Sequence, residues 1–265
     1  MTTTTSVEIV QLAGSVGAQV VGVDLAQPLD DRTFDEIRAA FLQHLVLVFR
    51  NQDITPENHL DFARRWGVVL VHPYVPSIDG HPGVMKVYDP TPITQQWHAD
   101  ITYAVRPPKL SILVARTLPP VGGDTMFANQ YLAYETLSPK LQELLRSLRA
   151  EHQGTALAKQ QGLTDDEIKA THPVVRTHPE TGRRSLFINA DYTKRFEGMT
   201  DDESRPLLEF LYRHASRPEF TFRHRWAPGD ILMWDNRAVQ HAVIGDVGGA
   251  ERALHRVTIE GDEPR

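Results

Sequence analysis

The sequence predicts a mainly β protein with flanking helices, a sandwich or barrel carrying helices on its outside. Three observations lead there. Short runs rich in Val, Ile, Leu, Phe and Thr are closed by Gly, Pro, Asp and Asn turns. These runs do not alternate regularly with helical segments, as a doubly wound parallel sheet requires. No Gly-rich strand-to-helix fingerprint occurs either.

The elements follow in chain order. Gln19–Val23 reads as a strand. From Asp31 to His44, Phe34, Ile37, Phe41 and then Leu45 recur at three- and four-residue steps, which predicts a helix. The run from His44 to Phe49 changes to a β-rich pattern and reads as a buried strand. Thr55-Pro56 supplies an N-cap and a first-turn proline for a helix reaching about Trp66. Strands are expected at Gly83–Tyr88, Leu110–Ala115 and Thr125–Ala128. Ser138-Pro139 repeats the helix-start signal ahead of Leu141, Leu144, Leu145 and Leu148. Thr164 to Glu167 forms a capping-box pattern for a short helix.

Val174–Thr177 and Ser185–Ile188 read as a hairpin turned by Pro179 to Gly182. Thr200 to Glu203 is a second capping box before Leu207, Leu208, Phe210 and Leu211, but Pro206 moves the expected start of that helix nearer Ser204. Phe220–Trp226 and Asp230–Trp234 read as another hairpin around Ala227-Pro228-Gly229, and Ala253–Ile259 as the last strand. No internal repeat or Gly/Ser linker divides the chain, so one domain over residues 1–265 is expected.

Composition narrows the function. The chain is 41% hydrophobic and 23% charged, ordinary for a globular protein with a sizeable core. It carries 28 basic against 34 acidic residues, net −6, which argues against a nucleic-acid partner. There is no cysteine, so disulfides, thiolate metal sites and cysteine nucleophiles are excluded. Neither a secretory signal nor an apolar run long enough to span a membrane is visible, so a cytoplasmic protein without membrane contact is expected.

The chemistry concentrates in two segments, Trp97-His98-Ala99-Asp100 and, far downstream, Trp234-Asp235-Asn236-Arg237 with His241. In an extended segment His98 and Asp100 point to the same side and can share one ion. With His241 they offer two imidazoles and one carboxylate, a set that suits iron, manganese or zinc. Asp235 and Asn236 read as turn residues satisfying local backbone groups, and Trp97 and Trp234 as packing. Arg252 and Arg256 alternate with Leu254 on one predicted strand face. They are either ordinary edge charges or forks for carboxylate-like anions. Gly122-Gly123-Asp124-Thr125 adds a hydroxyl after a turn whose glycines read as turn formers.

Together, His98-x-Asp100, Gly122-Gly123-Asp124-Thr125, Trp234-Asp235-Asn236-Arg237 with His241, and the Arg252/Arg256 pair resemble the taurine dioxygenase and 2,4-dichlorophenoxyacetate dioxygenase family. The resemblance runs from Gly17-Ala18-Gln19-Val20 through His172 to Pro179 and on to the C-terminus. It implies a double-stranded β-helix, or jelly roll, and dependence on Fe(II), 2-oxoglutarate and O2. It further implies that His98, Asp100 and His241 ligate iron, while Arg252 and Thr125 hold the far carboxylate of 2-oxoglutarate. Arg256, with His72 and Tyr74, is implied to meet a small anionic organic substrate. A homo-oligomer is implied as well.

Within His72-Pro73-Tyr74-Val75 the tyrosine sits one position earlier than in the taurine pattern, and Thr94-Gln95-Gln96 lacks an asparagine before the tryptophan. The segment from His152 to Thr171, over the active-site mouth in the family, is also short. The substrate therefore stays open among sulfonates such as taurine, alkyl sulfates and aryloxyalkanoates. Two alternatives remain beside the dioxygenase: a zinc or manganese cupin-like hydrolase or isomerase, which has no need of Thr125 and Arg252, and a non-catalytic jelly-roll protein.

Overall fold

The structure is a computed structural model, and it describes residues 7–71, 75–88, 95–154, 164 and 168–265. Helix α1, Asp31–His44, has the bounds that its apolar spacing predicts; the Asp30 carboxylate accepts from the Thr33 amide at 2.7 Å and fixes its start. It ends where Leu45 adopts φ 65° and turns the chain directly into a strand. Helix α2, Pro56–Arg64, carries a full capping box between Thr55 and Asn58.

The main sheet is built from β1 (Glu8–Gln11), β2 (Ala18–Val21), β3 (Val46–Phe49), β4 (Met85–Tyr88) and β5 (Leu110–Thr117) together with β13 (Ile231–Asp235) and β15 (Ala253–Ile259). It has seven strands in the order β1-β2-β3-β13-β5-β15-β4. Only β2 and β3 pair in parallel; the other neighbours are antiparallel. Facing it lies a three-stranded sheet of β12 (Thr221–His224), β6 (Thr125–Asn129) and β14 (Val239–Val243), in that order. Two facing, mainly antiparallel sheets with helices outside make the expected jelly roll.

Period-two alternation explains the central strands, which are apolar on both faces. Leu47, Phe49, Ile112, Val114, Ile231, Met233, Val257 and Ile259 point outward and pack with Ile37 and Phe41 of α1 and Leu60 and Phe62 of α2. Their neighbours Val46, Val48, Leu113, Leu232, Trp234 and Leu254 point inward and meet Phe127 and Val239 of the opposing sheet. The inward row of β15 therefore also includes Arg252, just before the strand, and Arg256 within it. That settles one alternative for these arginines, because β15 lies between β5 and β4 and is no edge strand.

A third apolar cluster joins α3 (Gln130–Glu135), α4 (Pro139–Ser147) and α5 (Asp201–Ala215) to short outer strands. These are the hairpin β9 (Val175–Thr177) and β10 (Arg184–Leu186), and the sheet β11 (Thr193–Phe196), β7 (Arg149–Gln153), β8 (Lys169–Pro173).

Two expectations need correction. Helix α5 starts at Asp201 and not near Ser204, with Pro206 inside it. Pro206 forfeits only the bond to Asp202, while the Thr200/Glu203 capping box holds the first turn. Ala227-Pro228-Gly229 does not close a hairpin: β12 and β13 belong to different sheets, so this turn carries the chain from one sheet to the other. The capping box expected from Thr164 to Glu167 falls largely outside the described residues. Among the described residues no helix is long and apolar enough to cross a membrane.

Two wholly buried histidines predict acid sensitivity. His59 donates Nε2–H to the Ile112 carbonyl, and burial, then the Arg116 charge, push its pKa down to about 3. His152, beside Thr102, is lowered well below the ordinary value, by burial first and then by His172. Both folded values lie below the unfolded value of about 6.5, so their contribution is intact above that pH and lost progressively below it. Each costs about 1.4 kcal/mol per pH unit below 6.5 until its folded pKa is reached. The urea midpoint is expected to fall clearly between pH 7.5 and 5.5, and His59→Gln to flatten that slope; a slope unchanged by the substitution would contradict the assignment.

Candidate active site

The site lies between the two sheets, where the segment preceding β5 runs beside β14. His98 and His241 exchange both backbone hydrogen bonds, His98 N–H to His241 O at 3.0 Å and His241 N–H to His98 O at 2.8 Å. This pairing sets the two imidazoles on one side with ring centroids 4.3 Å apart. Asp100 lies two residues further along. One ligand atom from each of His98, Asp100 and His241 falls within 4.8 Å of the others, and all three residues are buried.

The atoms around them decide which ones can bind. The His98 Nδ1 faces the Gln96 carbonyl at 2.8 Å, and a carbonyl only accepts, so Nδ1 carries the proton and Nε2 is left as the donor to a metal. The His241 Nε2 lies 3.6 Å from Asp100 Oδ1. Its ring is held between Trp234, at 4.6 Å, and Phe127, stacked at 6.2 Å. Burial, then the neighbouring His98, push the His241 pKa down to about 3, so the imidazole is neutral and competent to ligate at physiological pH.

Asp100 is held at both ends. Its Oδ2 accepts from the Ser111 hydroxyl at 2.9 Å and from Arg256 Nη2 at 2.5 Å. Its amide donates to Asn236 Oδ1 at 3.2 Å, and the same oxygen accepts from Trp234 Nε1 at 2.9 Å. Burial pushes the Asp100 pKa up, but the Arg256 guanidinium, by its charge and its hydrogen bond, outweighs it and holds the carboxyl well below the usual range. An ionised carboxylate and two imidazole nitrogens on one face fit ferrous iron, with the opposite face left for other ligands. Just after Asp100, Ile101 adopts φ 49°, an outlier for a β-branched residue. The turn is clamped by Thr102, whose hydroxyl accepts from Asn189 Nδ2 at 3.0 Å and contacts His152 Nδ1 at 2.9 Å.

The second polar end is built on the start of β6. Thr125 and Phe127 share a face, and Phe127 pairs with His241, so Thr125 sits one strand repeat from the imidazole, about 7 Å along. The Thr125 hydroxyl accepts from Trp226 Nε1 at 3.1 Å. Arg252 donates Nε–H to the Gly123 carbonyl at 3.0 Å, and its guanidinium carbon lies 5.9 Å from the Trp226 ring centroid. Thr125 and Arg252 are thus joined through Gly123 and Trp226 in a buried corner.

The glycines do more than form a turn. Gly122 has φ 81° and a Cβ there would run into the Asp246 backbone. Gly123 has φ 71°, and a Cβ there would stand 2.9 Å from Arg252 Cδ. Gly123→Ala is therefore expected to displace Arg252 and, on the role that the resemblance implies for that arginine, to raise the 2-oxoglutarate requirement about 10-fold. Initial rates across 2-oxoglutarate concentrations check this, and an unchanged requirement would oppose it.

Of the residues singled out in the sequence, His98, Asp100, His241 and Arg256 come together at one point, and Thr125 and Arg252 at the neighbouring corner. His72 and Tyr74 lie outside the described residues. Asp235 does accept from the Arg237 amide at 3.0 Å, as a turn residue should. Asn236 departs from that expectation: its side chain ties the Asp100 loop to β13. Sequence reasoning also passed over Ser111 and Thr258. Ser111 was signalled only as a lone hydroxyl inside an aliphatic strand. Tyr192, edge-on to His98 at 5.9 Å, and Tyr103, 5.2 Å from Tyr192, wall the same region.

Comparisons with known proteins agree with this geometry. The family described as "Taurine catabolism dioxygenase TauD, TfdA family" matches residues 8–258. An alpha-ketoglutarate-dependent sulfate ester dioxygenase of Pseudomonas putida is 35% identical, over 96% of this chain and 89% of its own. The (S)-phenoxypropionate/alpha-ketoglutarate-dioxygenase of Sphingobium herbicidovorans is 34% identical, over 96% and 95%. The crystal structure of a taurine dioxygenase from Burkholderia xenovorans superposes with a TM-score of 0.89 at 39% identity, covering 98% of this chain and 91% of that one. With a match over nearly its whole length and the same fold, the chain belongs to the TauD/TfdA family of dioxygenases.

Proposed function

We propose that this chain acts as one domain over residues 1–265, an Fe(II)- and 2-oxoglutarate-dependent dioxygenase that hydroxylates a C–H of a small organic anion. His98, Asp100 and His241 hold the iron by one face. Arg252 and Thr125 receive the far carboxylate of 2-oxoglutarate, and the arginine fork gives that contact its direction. The bound iron supplies the activation of O2 that couples decarboxylation of 2-oxoglutarate, to succinate and CO2, with hydroxylation of the substrate. The protein's own part is aim and exclusion of water. Phe127, Trp234 and Tyr192 surround the imidazoles with apolar surface, and Arg256 orients the substrate, joined by His72 and Tyr74.

One observation supports the substrate class above the others: Arg256 touches the ligand carboxylate itself. An anionic head held by that guanidinium lies beside the metal position, so the C–H within reach is on the carbon nearest the head. Hydroxylation of a carbon bearing sulfonate, sulfate or aryloxy oxygen gives an unstable adduct. It collapses to a carbonyl compound and sulfite, sulfate or a phenol. Sulfonates such as taurine, alkyl sulfates and aryloxyalkanoates are therefore the candidate substrates. The lack of cysteine and the use of ferrous iron suit a reducing cytoplasm, and a homo-oligomer is the assembly we expect.

The test is a panel of taurine, hexyl sulfate and 2,4-dichlorophenoxyacetate with Fe(II), 2-oxoglutarate and O2. Succinate is expected in step with one of sulfite, sulfate or dichlorophenol. Failure of all three to raise succinate above the substrate-free rate would remove this substrate class.

A further inference from the structure

Arg256 serves two places at once. Its Nη2 donates to Asp100 Oδ2 at 2.5 Å and to the Ser111 hydroxyl at 2.9 Å, while its Nε donates to Thr258 Oγ1 at 3.1 Å. No hydrogen bond of Nη1 is found among the described residues, and the side chain keeps 19% of its surface exposed. Ser111 itself is wholly buried in β5, on the inward row beside Leu113. Its hydroxyl accepts from Arg256 and donates its own hydrogen bond to Asp100 Oδ2. A hydroxyl is needed for that, since no aliphatic side chain of β5 can both accept and donate. The arrangement ties up the distal oxygen of Asp100 and leaves Oδ1, the oxygen nearer His241, for the metal.

We propose that Arg256 is shared between the metal-ligating carboxylate and the anionic head of the substrate, and that Ser111 is the positioning residue that makes the sharing cooperative. This rests on the dioxygenase reading above and adds a coupling to it. Before metal binds, the Asp100 charge is answered mainly by Arg256. A divalent ion on Oδ1 takes over that role and frees the guanidinium for a second anion. Conversely, an anion that draws on Arg256 leaves Asp100 a stronger donor to the ion. Linkage makes these two statements one quantity, so metal and anionic substrate each tighten the other by the same factor.

Calorimetric titration tests this with hexyl sulfate, taurine and phenoxyacetate as probes. Each is added to the full-length protein with and without Mn(II), and with no 2-oxoglutarate in either arm. At least one probe is expected to bind the Mn(II)-loaded wild type about 5-fold or more tighter than the metal-free protein. In Ser111→Ala, Mn(II) affinity is expected to fall about 10-fold. The metal-dependent ratio for the probe should shrink toward one, with the thermal midpoint close to wild type. Direct attraction between metal and anion would give a ratio that Ser111→Ala leaves untouched, so that outcome overturns the proposal. Equal affinity with and without Mn(II), or no binding of any probe to the loaded protein, overturns it as well. Should Ser111→Ala lose more than a few degrees of stability, Thr258→Val, which releases Arg256 from its other side, takes its place with the same expected loss of ratio. The dioxygenase reading fails separately, by the absence of substrate-stimulated succinate in the wild type.

Discussion

Asp100→Ala and His241→Ala are each expected to reduce Fe(II)-dependent succinate formation to the level seen without added iron, in protein that remains folded. The reason is geometric. Three ligand atoms within 4.8 Å of one another define a single metal position, and removing one leaves two. A two-ligand site holds ferrous iron weakly and no longer fixes which positions stay open for 2-oxoglutarate and O2. The two variants differ in their structural consequences. His241→Ala removes a ring packed between Trp234 and Phe127, so a loss of about 2–4 kcal/mol in stability accompanies it. Asp100→Ala deprives Arg256 of its carboxylate partner. Asp100→Asn, which keeps the side-chain shape and an oxygen to accept from Ser111 and Arg256, therefore serves as the folding control. Succinate assays and circular dichroism check these outcomes together. Undiminished turnover in either alanine variant would sink the metal assignment.

Arg252→Ala carries the second large effect. The side chain is buried, fixed by Gly123 and laid against Trp226, in the corner it shares with Thr125. Loss of a charge-assisted, two-pronged contact to a carboxylate in such a corner costs about 2.7 kcal/mol, or roughly 100-fold in the apparent 2-oxoglutarate requirement. The requirement for the primary substrate is expected to change far less. If instead only the primary substrate were affected, the roles of Arg252 and Arg256 would have to be exchanged. Arg252→Lys is no substitute, because an ammonium cannot offer the parallel fork.

Much of the framework was legible in the sequence because local rules and tertiary packing agree there. Asp31–His44 has its apolar stripe and its cap, and the strand Ala253–Ile259 has both expected ends. The helix from Asp201 was legible in kind but not in its start. The capping box at Thr200 and Glu203 prevailed over Pro206, which removes a single hydrogen bond near the N-terminus. The sheet of β7, β8 and β11 was not foreseen, since sequences such as Arg149-Ala150-Glu151-His152-Gln153 show little β-propensity and gain their strand form from pairing. The strand carrying His241 was likewise hidden within what read as a polar corner.

In the site, residue types announced the ligand candidates, but not how they are supported. Asn236 looked like a turn residue because its bond to the Asp100 amide spans 136 positions of sequence. Ser111 looked like a tolerated serine in a buried strand, and its role depends on a register that only the folded sheets define. Whether Arg256 faces a substrate or a protein carboxylate is also invisible to spacing; the structure adds Asp100 to its partners. The tyrosine and histidine expected at the substrate mouth, Tyr74 and His72, lie outside the described residues, so their part rests on the resemblance.

The central claim is that one buried triad and one buried arginine corner hold ferrous iron and 2-oxoglutarate side by side. Anaerobic addition of Fe(II) and 2-oxoglutarate tests it most directly, through the visible charge-transfer absorption of a keto acid chelated to ferrous iron. Wild-type protein is predicted to develop that band at one iron per chain, Asp100→Ala to show none, and Arg252→Ala to need far more 2-oxoglutarate to reach it. A band of full intensity in Asp100→Ala, or none in the wild type, would contradict the account.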